Sequence, residues 1–252
     1  NKVDYKKRTS AAKARIFEHF DLYLKSGGFP EFLKSNDEEV LKRVYEDILY
    51  KDLLVRFKIK EVKAFKQLAA YLFTNFTKEA SYNSLKNTLG FKSLTSVKNY
   101  IEFMQESFLI FELYKYDFSL KKQFVSDKKV YVADNGLRNA VSFSFSEDFG
   151  RFLENLIFIE LKRRGKEIYY FKGKKESDFL IKEKSKVIQV LQVSRSLRAG
   201  ANKDRELAGL VEALKEFNLK EGTILTQYQE EVFKIGGFKI NVIPAWKWLL
   251  EN

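Results

Sequence analysis

The chain has 252 residues, no cysteine, a single histidine and a formal net charge of +12. The lack of cysteine excludes disulfide bonds and thiolate metal sites. The single histidine, His19, excludes a histidine-rich zinc site and removes most triad chemistry. Any metal-dependent catalysis would therefore use carboxylates and a hard cation. Half of the positive excess lies in residues 150–252, which suits a polyanionic partner but also an ordinary lysine-rich surface.

Apolar residues make up 45% of the chain, enough core for two compact domains or one large domain. No apolar run reaches the roughly 18 residues of a membrane span, and no signal-peptide pattern opens the chain. We therefore expect no membrane insertion and a cytoplasmic location. Because the first residue is Asn1 rather than Met, we also expect a fragment of a longer protein.

Residues 1–60 are predicted to form a helical segment. Apolar residues recur at helical spacing up to Leu24, and the turn sequence Gly27–Pro30 ends that helix. A second helix is predicted beyond the turn, with Val40, Val44, Ile48 and Leu49 on one face.

Residues 61–149 have the element order of a winged helix-turn-helix domain. A first helix carries an apolar face from Val62 to Phe76, and a short second helix ends at Gly90. Ser93 is the predicted N-cap of a third helix. Its buried stripe would comprise Val97, Ile101, Met104 and Phe108. An extended run over 109–116, a polar tip and a return strand over 130–132 would form the wing, and the tip would contain Lys121, Lys122, Lys128 and Lys129.

Residues 150–252 switch to alternating helices and strands. Helices are predicted near 150–164 and 203–217, and strands at 168–171, 178–181, 187–193, 222–226 and 240–243. The order αβββαβ implies a mixed sheet with helices on its faces, so the predicted fold class is α/β (α+β).

Six short strings follow one another in a characteristic order: Tyr23–Glu31, Lys51–Leu53, Tyr131–Leu137, Gly150–Asn155, Glu176–Phe179 and Gln192–Ser194. Together they resemble the C-terminal part of prokaryotic AAA+ ATP-binding proteins. The resemblance implies an ATPase core that precedes the Gly-Gly-Phe-Pro-Glu segment. This chain has no phosphate-binding loop of the form GxxxxGK[ST]. ATP is therefore expected to bind only in that core. The resemblance also implies that the core is a partner of this chain and that the protein can form oligomers.

The last segment also fits the layout of restriction-endonuclease-like enzymes, in which a helix Glu and strand carboxylates hold Mg²⁺ or Mn²⁺. Glu154 on the first helix and Asp178 on the second strand are the candidate metal ligands, and Gln192 completes the candidate catalytic set. Gln192 replaces the second carboxylate and Ser194 the usual lysine, so the site is degenerate. Arg195 or Lys203 could supply a migrated cation. In the alternative reading, Glu154 and Asp178 are leftover polar residues, paired with Arg151 or Lys172.

Two basic surfaces are candidate nucleic-acid contacts. In the third helix of the winged-helix segment, Thr95, Lys98 and Asn99 lie away from the buried stripe, and Lys121 and Lys122 would hold the DNA backbone from the wing. Glu102 and Glu106 continue the same face and oppose phosphate, so packing within the protein is the alternative. A second group, the turn residues Lys172, Lys174 and Lys175, fits a substrate groove or a solvated hairpin tip.

These features support three hypotheses. The first is a DNA-associating module of an AAA+ ATP-binding protein, with an inactive nuclease-like domain. The second is a Mg²⁺- or Mn²⁺-dependent DNA nuclease that uses Glu154 and Asp178. The third is a protein-interaction or oligomerisation module of the ATPase, which would be marked by a large exposed apolar patch.

Overall fold

The computed structural model describes residues 10–142, 148–197 and 201–251. These residues form a mixed α+β structure with a three-stranded sheet and a six-stranded sheet, as the predicted fold class requires. The chain divides into two compact units. The central unit contains Lys25–Arg151, and the terminal unit combines the residues up to Leu24 with those from Phe152 onward. The division into 1–60, 61–149 and 150–252 stays a prediction.

A long helix, α1 (Ser10–Ser26), leads from the terminal unit into the central unit. The central unit continues with α2 (Pro30–Ser35), α3 (Glu38–Asp47), a π-helix (Ile48–Val55), α4 (Val62–Thr74), β1 (Glu79–Ala80), α5 (Tyr82–Leu89), α6 (Leu94–Glu106), β2 (Ile110–Tyr114), α7 (Leu120–Val125), β3 (Lys128–Val132) and α8 (Asn135–Val141). The single helix predicted from Val40 onward changes to π-type hydrogen bonding at Ile48, which apolar spacing does not reveal.

The helix ends follow the predicted signals. The Ser93 side chain caps α6 by accepting a hydrogen bond from Thr95 N at 3.1 Å, and Gly90 ends α5 with a φ of +70°. Val97, Ile101 and Met104 are buried as predicted, but Phe108 is 71% exposed. The prediction for Phe108 was wrong because α6 ends at Glu106 and Phe108 itself has a φ of +54°.

The predicted wing differs from the observed structure. Lys121 and Lys122 lie on α7, a short helix, rather than in a hairpin tip. Lys128 and Lys129 lie on β3 and are 4% and 3% exposed. The strand β3 is the middle strand of the antiparallel sheet β1–β3–β2. Two hydrogen bonds fix the buried ammonium group of Lys128, because its Nζ donates to the carbonyl oxygens of Phe124 and Ser126, each at 2.8 Å.

Two of the quoted strings pack directly against each other in the central unit. Asp134 accepts hydrogen bonds from Gly28 N at 2.8 Å and from Leu137 N at 2.9 Å, so it both caps α8 and holds the Gly27–Gly28 turn. A Cβ on Gly136 would lie 1.9 Å from Ser26 O. Burial raises the pKa of the Asp134 carboxyl. The lack of a Cβ at Gly136 therefore allows this backbone to approach Ser26 closely.

The terminal unit is built on the second sheet. Its elements are α9 (Phe149–Arg163, of which the first three residues belong to the central unit), β4 (Glu167–Lys172), β5 (Glu176–Glu183), β6 (Lys186–Ser194), α10 (Ala201–Glu216), β7 (Glu221–Thr226), β8 (Glu231–Ile235), β9 (Phe238–Pro244) and α11 (Ala245–Leu250). The strand order is β4-β5-β6-β7-β9-β8. The first three strands are antiparallel, β6, β7 and β9 are parallel, and β8 is antiparallel to β9.

The predicted order αβββαβ is present from α9 to β7, and the sheet is mixed as expected. The strand β8 and the helix α11 were not predicted from the sequence. Helix α10 approaches β5 so closely that a Cβ on Gly209 would lie 2.1 Å from Glu176 O. Within the described ranges, each helix is too short or too polar to cross a lipid bilayer.

We expect Gly27→Ala to destabilise the central unit more than Gly90→Ala. Both glycines have similar positive φ values, +72° and +70°, so each substitution should cost roughly 1–2 kcal/mol of backbone strain. The Cβ at position 27 would also lie 2.0 Å from Asp134 Oδ1, whereas nothing lies within 4 Å of the Cβ at position 90. Urea unfolding of both variants measures the difference, and equal losses would show that the Asp134 contact is unimportant.

Candidate functional site

The first turns of α6 present the predicted polar residues to solvent. Thr95, Lys98 and Asn99 are all exposed, and Lys98 Nζ lies 5.7 Å from the ring centroid of Tyr82 on α5. The opposite face of α6 is buried through Val97 and Ile101. The helix therefore offers a polar surface at its N-terminal end.

The C-terminal half of α6 is partly covered by the chain that follows the π-helix. Phe57 stacks on Phe103 with ring centroids 4.0 Å apart, and Arg56 lies 3.8 Å from the Glu106 carboxylate. Glu102 is exposed. A phosphate backbone would thus meet Lys98 near the start of α6 and acidic side chains further along it.

The helix α7 carries an apolar surface beside its two lysines. Lys121 and Lys122 are exposed, and four large apolar side chains around them are at least 63% exposed: Phe118, Leu120, Phe124 and Val125. We call these four residues the α7 apolar surface. It replaces the polar tip expected from the sequence.

The lysine-rich turn between β4 and β5 is fixed to α10. Lys172, Lys174 and Lys175 are exposed, and the backbone N–H groups of Lys174 and Lys175 donate to the Glu212 carboxylate at 2.7 and 2.9 Å. A Cβ on Gly173 would lie 2.2 Å from Glu212 Oε1. Paired backbone amides that hold a carboxylate make a rigid turn, so the three lysines extend from a fixed backbone.

Two of the three predicted catalytic residues meet directly. Gln192 Oε1 accepts a hydrogen bond from Asp178 N at 3.1 Å, and Asp178 Oδ2 accepts one from Val193 N at 2.9 Å. Both side chains are buried, at 6% and 5% exposure for Asp178 and Gln192. Glu154 lies half-buried on α9.

A fourth buried group, Glu206 on α10, completes this cluster. Gln192 Nε2 donates to Glu206 Oε2 at 2.5 Å, and the exposed Arg205 donates to Glu206 Oε1 at 2.7 Å. Burial raises the pKa of Glu206, and the nearby Asp178 charge also acts in that direction. We call Asp178, Gln192 and Glu206 the polar network.

The polar network ties three elements together. It joins the start of β5, the end of β6 and the first turns of α10 through hydrogen bonds that use both ends of the Gln192 amide. In the parts of the chain with described side chains, no three His, Cys, Asp or Glu residues are grouped so that they could hold a metal ion. The hydrogen bonds of Gln192 to Asp178 N and to Glu206 support a connecting role for these residues.

Ser194, at the position of the missing lysine, and the two candidate migrated cations, Arg195 and Lys203, have other contacts. Ser194 Oγ donates to Ser196 O at 3.2 Å, Arg195 Nε donates to Gln227 Oε1 at 3.3 Å, and Lys203 Nζ lies 4.3 Å from the Phe233 ring centroid. Arg151, the suggested partner of Glu154, donates to the carbonyl oxygens of Thr74 and Phe76.

Sequence reasoning predicted α10 but gave Glu206 no role. The signal was present, because Glu206 shares a helical stripe with the buried residues Leu210 and Ala213. A carboxylate on an apolar stripe is rarely buried without a partner, and here the partner is the amide of Gln192.

Glu206→Gln should change the pH dependence of stability. Because the folded-state pKa of Glu206 is raised above its usual 4.5, ionisation in the folded state costs stability as pH rises from about 4.5 through the raised pKa. The free energy of unfolding of E206Q, relative to the unmodified chain, should therefore increase over that pH window in urea titrations.

Glu221→Gln is the control with the opposite sign. Hydrogen bonds from Lys239 and Asn241 lower the pKa of the exposed Glu221 below 4.5, so Glu221 stabilises the fold above that pH and loses this effect as pH falls through its lowered pKa. E221Q should thus lose relative stability as pH rises through the lower window. A pH-independent difference for E206Q would contradict the burial of an ionisable Glu206.

Residues 17–148, just over half of the chain, match the family described as "Domain of unknown function (DUF8612)". An uncharacterized protein of Methanocaldococcus jannaschii is 35% identical over an alignment of 264 positions, which covers 97% of this chain and 58% of that protein. An uncharacterized protein of Haemophilus influenzae is 26% identical over 237 positions, which cover 91% of this chain and 57% of that protein.

The chain thus spans somewhat more than half the length of these two relatives. Neither relative has a name that states an activity, a ligand or a partner. The Asp134 contact with the Gly27–Gly28 turn lies within the matched region. By its match over residues 17–148, the chain belongs to the DUF8612 family.

Proposed function

We propose that this chain is the DNA-associating part of a longer AAA+ ATP-binding protein, and that the N-terminal end of α6 contacts DNA. The observation that carries the proposal is the joint exposure of Thr95, Lys98 and Asn99 on the first turns of one helix. Lysine and threonine suit phosphate contacts, and an asparagine amide can pair with an adenine edge.

The order of elements around α6 supports a winged-helix reading. Helices α4, α5 and α6 precede β2 and β3, and the short β1 pairs with β3. In winged helix-turn-helix proteins the second helix of the pair enters the major groove, which corresponds to α6 after the turn at Gly90. The observed α7 departs from a simple two-stranded wing, so DNA contacts by Lys121 and Lys122 would come from a helix.

ATP binding belongs to a different part of the proposed protein. The sequence lacks a phosphate-binding loop, so an ATPase core would be the partner that supplies ATP-driven work. The relatives are longer than the region matched by this chain, which leaves length for such a core. We propose a cytoplasmic location and assembly into oligomers as parts of the same hypothesis.

For the terminal unit we propose a nuclease-like domain that has become structural. The support is the polar network, in which Gln192 uses its amide oxygen on Asp178 N and its amide nitrogen on Glu206. Because Gln192 is neutral, it brings no negative charge to a metal site, and sites with few carboxylates bind divalent cations weakly. The alternative, a Mg²⁺- or Mn²⁺-dependent nuclease with Glu154 and Asp178, requires cleavage of DNA that is lost in Asp178→Ala.

Lys98→Ala should weaken binding to duplex DNA and reduce its salt dependence. Each lost phosphate contact lowers the magnitude of the log–log salt slope by about 0.9. Fluorescence anisotropy of the purified chain with a labelled duplex, at several salt concentrations, measures both quantities. The matched control is Lys63→Ala, which removes an exposed lysine on α4 and should leave the slope unchanged.

Asn99→Ala tests whether α6 recognises the base sequence of the DNA. Loss of an amide contact to a base should reduce the preference among duplex sequences without changing the salt slope. Equal effects of Lys98→Ala and Lys63→Ala, or flat binding across salt concentrations, would refute the α6 interface.

The interaction-module hypothesis is supported by a different observation, the α7 apolar surface. Exposed apolar patches often mark protein-binding sites, and residues 118–125 contain four of the exposed large apolar side chains. On this hypothesis Lys98→Ala and Lys63→Ala will change DNA binding equally in the same anisotropy experiment, because any binding is then non-specific. Phe124→Ser will abolish self-association measured by sedimentation.

A further inference from the structure

A pocket of about 620 Å³ lies in the terminal unit, and none of its lining residues belongs to the polar network. Its lining residues are Arg195, Ser196, Gln227, Tyr228 and Gln229. These residues directly follow β6, which ends at Ser194, and β7, which ends at Thr226. Because β6 and β7 are parallel neighbours, the pocket lies at the carboxyl ends of parallel strands, where open α/β sheets commonly bind ligands.

Gln227 organises this pocket. It is 6% exposed, its Oε1 accepts from Arg195 Nε at 3.3 Å, and its Nε2 donates to Asp21 Oδ1 on α1 at 2.7 Å. A backbone hydrogen bond from Gln227 N to Arg195 O also joins the two loops. The guanidinium of Arg195 is therefore held in a defined position at the pocket wall.

The acidic group beside the pocket is engaged by its neighbours. Asp21 accepts hydrogen bonds from Gln227 Nε2 and from the Tyr228 hydroxyl, and the Tyr228 ring packs on Phe17 with centroids 4.6 Å apart. Asp21 and Phe17 lie on α1 and Tyr228 follows β7, all within the terminal unit. These contacts fix the positions of the Tyr228 ring and the Asp21 carboxylate beside the pocket.

The lining chemistry combines one cation, side-chain amides, a hydroxyl group and an aromatic ring. Guanidinium groups bind phosphate oxygens through paired, charge-assisted hydrogen bonds. Gln229 Oε1 accepts a hydrogen bond from Leu197 N, so its Nε2 is the group that can pair with a base edge. The Ser196 hydroxyl can pair with a sugar hydroxyl, and aromatic rings suit planar bases. The volume falls within the range of roughly 300–1,000 Å³ found for small-ligand sites.

We propose that this pocket binds a nucleoside monophosphate unit, with the phosphate on Arg195 and the base among Gln229, Tyr228 and Ser196. The unit could be a free nucleotide or the 5′-phosphorylated end of a single DNA strand. This site is separate from the α6 interface and does not depend on duplex binding.

Isothermal titration of the full chain tests the site. The ligands are the four deoxynucleoside 5′-monophosphates, inorganic phosphate and a short 5′-phosphorylated single strand. At least one nucleotide should bind tenfold or more tightly than inorganic phosphate, because the base adds neutral hydrogen bonds and ring contacts that phosphate alone cannot make. Binding by the nucleotides identifies the free unit as sufficient, whereas binding by the strand alone identifies the strand end as the ligand.

Arg195→Ala should weaken the binding of that ligand by about tenfold or more, since it removes a charge-assisted contact. Arg195→Lys keeps the charge without the planar fork and should have an intermediate effect. The control is Arg163→Ala, an exposed arginine on α9 that pairs with Glu160. Circular dichroism melts verify that each variant is folded.

Three results would overturn the site: no binding of any nucleotide or strand, inorganic phosphate binding as tightly as the nucleotides, or equal weakening in Arg195→Ala and Arg163→Ala. Duplex binding measured on Arg195→Ala should equal that of the unmodified chain. Failure of the pocket is thereby distinguished from failure of the α6 interface.

Discussion

The terminal unit depends on one side-chain amide, that of Gln192. Its oxygen satisfies the backbone N–H of Asp178 and its nitrogen satisfies the Glu206 carboxylate, so a single residue links two strands to the helix that covers them. Buried polar groups cost free energy unless they are hydrogen-bonded, and this arrangement leaves each carboxylate with donors. The close approach of α10 to β5 at Gly209 keeps Glu206 within reach.

The central unit uses a carboxylate in a comparable way. Asp134 caps α8 and holds the Gly27–Gly28 turn, so two separate strings of the sequence act as one local structure. This structural role explains their residue types without a catalytic or binding role. Position 27 requires glycine because of its positive φ and the lack of space for a Cβ, and position 134 requires an aspartate because its carboxylate offers two acceptors. Thr95, Lys98 and Asn99 at the start of α6 are exposed, so their side chains can contact a partner, and the proposed function is located there.

Periodicity and capping signals predicted most of the elements, since apolar stripes and caps such as Ser93 and Gly90 are local properties. The strands of the sheet from β4 to β7 and the helices α9 and α10 were predicted close to their observed bounds. Features set by tertiary contacts were missed. Lys128 can be buried because carbonyl oxygens of α7 and of the turn after it accept hydrogen bonds from its ammonium group. Glu206 can be buried because the Gln192 amide donates to it. The apolar residues of α7 and the pocket at Arg195 and Gln227 likewise result from how separate segments meet, which spacing along the chain does not encode.

A double-mutant cycle on Gln192 and Glu206 tests the central claim most directly. The free energy of unfolding in urea is measured for Gln192→Leu, Glu206→Leu, the double variant and the unmodified chain. If the amide connects the strands to α10, each single change should cost about 1–3 kcal/mol because it leaves a buried polar group unsatisfied. The double variant should then lose less than the sum, with a coupling of about 0.5–3 kcal/mol. Single variants of unchanged stability whose effects simply add would contradict a structural role for the polar network.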